Sequence, residues 1–462
     1  MTEKIAAVVL AAGDGKRMKS SRSKVCCEVC MKPMLCWVLD ACAEAGVAGP
    51  DTCVILSDSP VGVSELLPEG VCTAVQAQRR GTGHAAQMAL PFLRSARERG
   101  VREAAVLCGD APLIDGGVLL GALGAHRAQN RAVTVLSAVV EEPGRYGRIV
   151  REDGVFSRIV EAADASAEQL LIREVNAGAY WFSIDFLISS LPLLTDQNAQ
   201  GELYLTDLVE LAGRSGRLAG AFVCPDAAMA LGANDRRQLA ELNRIARDRQ
   251  LGRLYDAGVD IPLADGVMIG PNVTVGADTR ILPGCILRGK TTIGARCVLG
   301  PNTVIADCRV GDDCSIDSSR LAESRIGNGV RIGPFAQLRP NCDLADRVKI
   351  GNFVEVKNSR VGERTSLAHL TYIGDSDFGA GINVGCGVVT VNYDGRDKYR
   401  TVVEDGAFIG CNTNLLAPVR VGAGAYVAAA TTVTEDVEPD ALAIGRVRQV
   451  QKPGRARLYR KQ

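Results

Sequence analysis

Net charge is the first thing this sequence lacks. Lysine plus arginine and aspartate plus glutamate both number 53. The balance leaves no global field to draw nucleic acid or an anionic membrane, and the basic tail KPGRARLYRKQ is a local, solvated exception. Long apolar runs are missing too; none approaches the roughly 20 residues of a membrane span. The opening IAAVVLAA is short and leads into glycine and charge, so it reads as a buried strand and not as an export leader. Zinc-type cysteine spacing is absent, because Cys27-x-x-Cys30 has no second pair behind it. The 16 cysteines are scattered, and without an export signal they are expected as reduced thiols in a cytoplasm. Histidine is scarce: His84, His126 and His369 are the whole complement.

What is present is enough apolar residue, 47% of 462, for two or three cores. From about residue 267 the chain falls into a six-residue period. Aliphatic residues recur at Ile269, Val275, Ile281, Leu287, Ile293 and Leu299, and again at Ile326, Ile332, Leu338, Leu344, Ile350 and Val356. The period slips by a residue in places and returns at Val361, Leu367 and Ile373, then at Ile409, Leu415, Val421 and Val427. A helix needs a period of 3.6 and an ordinary strand a period of 2. A hexad fits a parallel β-helix in which three hexads close one coil and the aliphatic residue points inward.

Residues 1 to 228 instead alternate short apolar strands (IAAVVLAA, TCVILS, AAVLCGD, AVTVLSAVV) with helical runs (MLCWVLDACAEAG, GHAAQMALPFLRSARERG). The alternation predicts an α/β domain on a mostly parallel sheet. Residues 229–258 read as an amphipathic linker helix and 259–462 as the β-helix with its tail.

Three stretches of the α/β half carry chemistry. LAAGDGKRM follows the first strand. It lacks the third glycine of a dinucleotide fingerprint and the Gly-Lys-Ser/Thr of a P-loop, yet Arg17 and Lys24 stand within one loop of its glycines. Bare backbone N–H groups and two cations suit a polyphosphate. Gly81-Thr82-Gly83 opens a helix, which suits backbone that must approach a ring or phosphate closely; His84 reads as an early helical residue. Asp110 ends a strand, where one carboxylate plus substrate phosphates can hold magnesium, or where it can simply cap the next helix.

In the hexad half, Arg339 and Lys357 are eighteen residues apart, one coil by this reading. They should stack roughly 5 Å apart as a phosphate clamp. His369 and Tyr372 follow in the next coil, and NYDGRDKYRT at 392–401 breaks the hexad and must loop out.

Leu10-Ala11-Ala12-Gly13, Arg17, Lys24, Gln76, Gly81-Thr82-Gly83-His84-Ala85 and Gly109-Asp110 resemble the sugar-phosphate nucleotidyltransferase motif set. With YGRI at 146–149, Glu161 in IVE, Asn176 in EVNAG, NAQGELYLTD and Asn234 in GANDRRQL, followed by AHLTYIGD, INVGCG and VNYDG, the chain resembles the bifunctional N-acetylglucosamine-1-phosphate uridyltransferase/glucosamine-1-phosphate acetyltransferases over almost its whole length. The resemblance implies a Rossmann-like nucleotidyltransferase domain joined to a left-handed parallel β-helix, and a homotrimer. It implies a uridine site at Leu10 to Gly13, Gln76, Gly81, Thr82 and Cys108 to Asp110, with Arg17 and Lys24 on the phosphates. N-acetylglucosamine would meet Gly147, Glu161 and Asn176, and magnesium would meet Asp110 and Asn234. In the other half, His369 would be the general base. Arg339, Lys357, Tyr372 and Asn383 would hold the sugar phosphate, while Cys386, Asn392, Tyr393, Cys411, Ala429 and Arg446 would meet acetyl-CoA, with Lys398 on the loop. The implied substrates are UTP, glucosamine-1-phosphate, N-acetylglucosamine-1-phosphate and acetyl-CoA.

The sequence departs from the family at Lys16 (usually Thr), Ser23 (Pro), Cys108 (an aromatic), Cys386 (Ala), Cys411 (Ser) and Ala430 (Gly). None removes a charge the chemistry needs. Two rivals remain to be weighed. A single-activity nucleotidyltransferase with a merely structural β-helix has no use for His369 and the clamp. A non-catalytic nucleotide sensor has no use for Arg17, Lys24 and Asp110.

Overall fold

The computed structural model describes residues 4–13, 15–59 and 61–460. The chain divides into two compact units, residues 1–248 and 249–462. The division falls inside the helix Arg236–Asp256, so its two ends belong to different cores. Leu239, Leu242 and Ala246 pack with Met18, Val29, Met34 and Leu113 of the first unit. Leu251 and Leu254 belong to the core of the second.

The first unit is built on strands β1 (Ile5–Leu10), β2 (Thr52–Ser57), β3 (Cys72–Gln76), β4 (Glu103–Cys108), β5 (Val133–Val139), β6 (Arg148–Glu152), β7 (Val155–Val160), β8 (Glu174–Ser183) and β9 (Ala219–Val223). The path through the sheet is β9-β5-β8-β4-β1-β2-β3, with the β6–β7 hairpin joined to β8. β1 to β4 are parallel, whereas β8 runs antiparallel to both β4 and β5. Both faces of the central strands are covered, which is why they are apolar without alternation. Ala7 and Val9 of β1 face the core that holds helix Met34–Glu44. Ala6 and Val8 face the core that holds Ala85, Ala86 and Leu93. The run expected as one helix after Gly83 is two, Thr82–Met88 and Leu90–Glu98. Pro91 has no N–H for the Gln87 carbonyl, so the ladder breaks there.

The second unit is a parallel β-helix. Three sheets of ten, nine and ten strands, most of them two or three residues long, form its sides. Leu287, Ile305, Leu321, Leu338, Val356 and Ile373 stack one over the next on one side. The spacing along this column is 16 to 18 residues, so the slips in the hexad are corners shortened by a residue. The aliphatic column is buried from Ile269 to Val433.

A second inward column precedes each strand and was not legible as a pattern. It holds Thr279, Thr291, Thr303, Ser319, Ser324, Ser359 and Thr365, but also Cys285, Cys297, Cys308, Cys314 and Cys342. The hydroxyls work in both directions. Thr365 donates to the Gly379 carbonyl at 2.7 Å and accepts from the Ile382 amide of the next coil at 3.1 Å. Cys297 and Cys314 donate likewise to Gly311 and Gly327 at 3.2 and 3.1 Å. Five of the cysteines are therefore corner residues in place of serine or threonine.

Candidate active sites

β1, β3 and β4 are parallel members of one sheet, so their carboxyl ends share an edge, and that edge gathers the nucleotide motifs. Leu10 ends β1, Gln76 ends β3 and Cys108 ends β4. The Gly109 amide donates to the Leu10 carbonyl at 2.9 Å and ties two motifs together. Ala11 and Ala12 are buried and Gly13 is exposed. Arg79 donates to the Ala12 carbonyl at 3.1 Å and holds this loop.

Lys24 is the centre of the edge. Its ammonium pairs with the Asp110 carboxylate and donates to Asn234 Oδ1 at 3.3 Å. Burial works against the charge on Lys24, but the Asp110 charge and hydrogen bond outweigh it and hold the pKa above the ordinary lysine value. Arg17 is exposed beside it and repels it. Asp110 and Asn234 thus turn two oxygens toward one cation. An all-oxygen pair of this kind fits a hard ion such as magnesium, which keeps most of its coordination for water and phosphate. Tyr146 lies within electrostatic reach of both Asp110 and Lys24, and its hydroxyl accepts from the Gly232 amide at 3.1 Å. Cys108 carries no charge here, because burial pushes its thiol up to about 12. The Lys16 side chain lies outside the described residues.

The Gly81-Thr82-Gly83 turn packs closely on the protein's own chain. Gly81 has φ +99°, and a Cβ there would stand 2.5 Å from the Leu203 carbonyl oxygen. The glycines admit the protein's own NAQGELYLTD segment. The Gly83 amide donates to Leu203 at 2.8 Å, and the Thr82 hydroxyl accepts from the Leu205 amide at 3.1 Å. Gln76 donates to the Gly81 carbonyl at 3.0 Å and meets His84 Nδ1 at 3.1 Å, so His84 is a structural helical residue.

Gly147, Glu161 and Asn176 come together. The Asn176 amide donates to the Gly147 carbonyl at 2.9 Å. A Cβ on Gly147 would sit 3.4 Å from both Glu161 carboxylate oxygens. Glu161 is pushed up by burial and pulled back by the Thr206 hydroxyl, which donates to it at 3.1 Å. Both line a cavity of about 420 Å³ with Asp164, Tyr204 and Asp207. Burial, Glu210, Glu161 and Asp164 push the Asp207 carboxyl up to about 6. Thr206 has no signal of its own in the sequence; only the fold brings it, 45 residues on, against Glu161.

In the β-helix Arg339 and Lys357 stand one coil apart, because Leu338 pairs with Val356. Lys398, from the extruded loop, lowers the Lys357 pKa, with Arg339 adding to the effect and Asp375 opposing it. Three cations therefore crowd one corner. Arg339 is paired with Glu355 at 3.1 Å. Asp375 is held by the Asn358 and Asn392 amides, which places Asn392 at the root of the loop. Arg400 anchors the loop's far end through Asp377 at 2.8 and 2.9 Å and the Ser376 carbonyl at 3.0 Å. Tyr393 is exposed near the tip and donates to the Gly395 carbonyl at 2.8 Å.

His369 is at the neighbouring corner. Its coil partner is Asn352, and Nδ1 bonds to Asn352 Oδ1. An amide oxygen only accepts, so the hydrogen is on Nδ1, which leaves Nε2 of this exposed side chain as the nitrogen that can accept a proton. Leu367 pairs with Val384, which places Cys386 one coil above His369. Val384 pairs with Ile409 and the Asn412 amide donates to Cys386 at 2.7 Å, which places Cys411 above Cys386. The Ala430 amide donates to Cys411 at 2.7 Å, placing Ala429 above that, and Arg446 donates to the Ala429 carbonyl at 2.8 Å. The expected acetyl-CoA residues Cys386, Cys411, Ala429 and Arg446 thus form one column that starts at the histidine. Tyr372 begins the short strand between His369 and the cationic corner, and Asn383 faces outward on the strand that leads to Cys386. Asn352 was missed, though its place 17 residues before His369, one coil back, was a usable signal.

Residues 7–184 match the MobA-like NTP transferase domain, and residues 272–307 and 323–358 match the bacterial transferase hexapeptide family. The chain is 44% identical to the bifunctional protein GlmU of Geobacillus sp. (strain WCH70), with 96% of each chain covered. It is 46% identical to that of Geobacillus thermodenitrificans, again over 96% of both chains. It is 45% identical to that of Heliobacterium modesticaldum, over 96% of this chain and 95% of the other. The chain belongs to the bifunctional GlmU family. As a GlmU chain it is a bifunctional transferase with a nucleotidyltransferase half and a hexapeptide-repeat half. Neither a structural rod nor a nucleotide sensor accounts for GlmU relatives matched along both halves.

Proposed function

We propose that the chain makes UDP-N-acetylglucosamine in two steps. The second unit moves acetyl from acetyl-CoA to glucosamine-1-phosphate, and the first joins the product to UTP with release of pyrophosphate. What carries the reading of the acetyl step is the corner where His369, oriented by Asn352, begins the column Cys386–Cys411–Ala429, with three cations a short strand away. His369 Nε2 takes the proton as the sugar amine attacks the thioester carbonyl. Arg339, Lys357 and Lys398 hold the sugar phosphate, with Tyr372 and Asn383 beside it, and the thioester lies along the column toward Arg446, with Asn392 and Tyr393 covering it from the loop.

In the first unit, Leu10 to Gly13, Gln76, Gly81 and Thr82 seat uridine. Gly147, Glu161 and Asn176 seat the N-acetyl sugar. Its phosphate oxygen attacks the α-phosphorus of UTP in line, and Arg17 and Lys24 offset the charge that builds up. Asp110 and Asn234 would hold magnesium, which neutralises phosphate charge when bound. Lys24, paired with Asp110 in this structure, would then be available to the phosphates. The exposed stack of Phe335 on Phe353, continued by Leu370 next to His369, supports a homotrimer in which another copy covers this corner. Among the described residues no helix is long and apolar enough to cross a membrane, and all the cysteines are free thiols, in keeping with a cytoplasmic setting.

The test follows CoA and pyrophosphate separately. With glucosamine-1-phosphate and acetyl-CoA, free CoA should appear without UTP or magnesium. Pyrophosphate should need magnesium, UTP and the acetylated sugar. Asp110→Ala should abolish pyrophosphate release and leave CoA release intact; equal loss of both in a folded variant would make Asp110 structural.

A further inference from the structure

Two departures in the acetyl column are thiols, and the coil places them together. Cys386 and Cys411 are register partners on adjacent parallel coils. Neighbouring strands of this kind lie about 4.8 Å apart, inside the Cα span that a disulfide can bridge. The Cys411 sulfur leans back toward the lower coil, 2.9 Å from where a Cβ on Gly385 would stand. Cys411 is exposed and Cys386 half-buried, and both are free. The corner thiols are different. Cys297 and Cys314 also stack on adjacent coils, but they are buried and each donates to a carbonyl. Oxidants in water reach the first pair and not the second.

We propose that Cys386 and Cys411 are a peroxide-sensitive dithiol that closes to an inter-coil disulfide. The exposed Cys411 thiolate attacks hydrogen peroxide, breaks its O–O bond and becomes a sulfenic acid, releasing water. The Cys386 thiol then attacks that sulfur, and a second water leaves. The two thiols give up two electrons and two protons, and the peroxide is reduced to two waters. A thiol reductant reverses the change. Cys386 is the register neighbour of His369, so the linkage forms one coil from the histidine. On the reading that this column holds acetyl-CoA, oxidation stops acetyl transfer and leaves uridyl transfer running.

The experiment uses the full-length chain, freed of reductant and treated with hydrogen peroxide. Peptide mapping under non-reducing conditions should recover a Cys386–Cys411 linkage, with Cys297 and Cys314 still alkylatable after unfolding. CoA release should be lost and should return with dithiothreitol, while pyrophosphate release from UTP and N-acetylglucosamine-1-phosphate holds steady. In Cys411→Ser, the ratio of peroxide-treated to untreated acetyl transfer should stay near one, whatever its starting rate. Absence of the linkage overturns the dithiol. A linkage with undiminished CoA release, or equal inhibition of Cys411→Ser, overturns the switch. If the reduced protein releases no CoA at all, the acetyl-transfer reading has failed, while the mapping still decides the dithiol.

Discussion

The three histidines show how little a residue type says before its neighbours are known. His84 is a helical residue bonded to Gln76. His126 is buried against Thr134, and burial with Arg131 and Arg127 pushes its pKa down to about 4, so it stays neutral and structural. His369 alone stands at an open corner with one nitrogen committed to an amide oxygen. Removing the base in His369→Ala should slow acetyl transfer by about 10²- to 10⁴-fold. Removing its support in Asn352→Ala keeps the imidazole but frees its tautomer and angle. That should cost between about 10- and 100-fold in kcat. Melting temperature and pyrophosphate release should hold in both variants. A purely structural Asn352 would instead lower the melting temperature and leave kcat per folded molecule untouched.

At the scale of the element, the hexad's aliphatic residue was plain in the sequence and the corner residue was not. Apolar burial repeats with one chemical class, so its period can be counted. The corner position accepts Thr, Ser, Cys, Val or Ala, because its duty is to be small and, in some coils, to relay a hydrogen bond. Thr365→Val removes the donor to Gly379 and the acceptor for Ile382 while keeping the shape, and should cost about 1 kcal/mol. Thr365→Ser should cost less, since it keeps both bonds. Urea unfolding of the two variants checks this; equal stability of Val and wild type would show that the relay adds nothing. The same contrast explains the sites. Arg339 and Lys357 could be matched by counting one coil, whereas Asp375, Asn358 and Asn392 could not be linked to Lys357 until the corner angles were fixed.

At the scale of the molecule, two units share one helix, and where the chain is cut matters. A fragment ending at residue 228 lacks Asn234, which faces Lys24, and Asn243, which accepts from the Cys30 amide at 2.9 Å. It also uncovers Met18, Val29 and Met34, which Leu239, Leu242 and Ala246 bury. Such a fragment should melt lower and release little pyrophosphate. A fragment ending at residue 256 keeps all of these and should work without the β-helix. Calorimetry and pyrophosphate release on the two fragments decide the point; full activity in the shorter one would remove Asn234 and the helix from the site.

The sequence alone determined the class of each half. Strand–helix alternation and a hexad are periodic consequences of burial, and periodicity survives in one dimension. It also determined the chemical inventory, since glycines beside cations and an isolated histidine in a rod are local signals. Tertiary structure alone decided the partnerships. Gly81 lies against Leu203 because the chain returns there 122 residues later. Lys24 meets Asp110 and Asn234 across 86 and 210 residues. Cys386 and Cys411, 25 residues apart around an extruded loop, become neighbours because the loop leaves the coil and re-enters it in register. Contacts of this kind depend on where separate segments are carried by a common core, and no pattern within either segment encodes it.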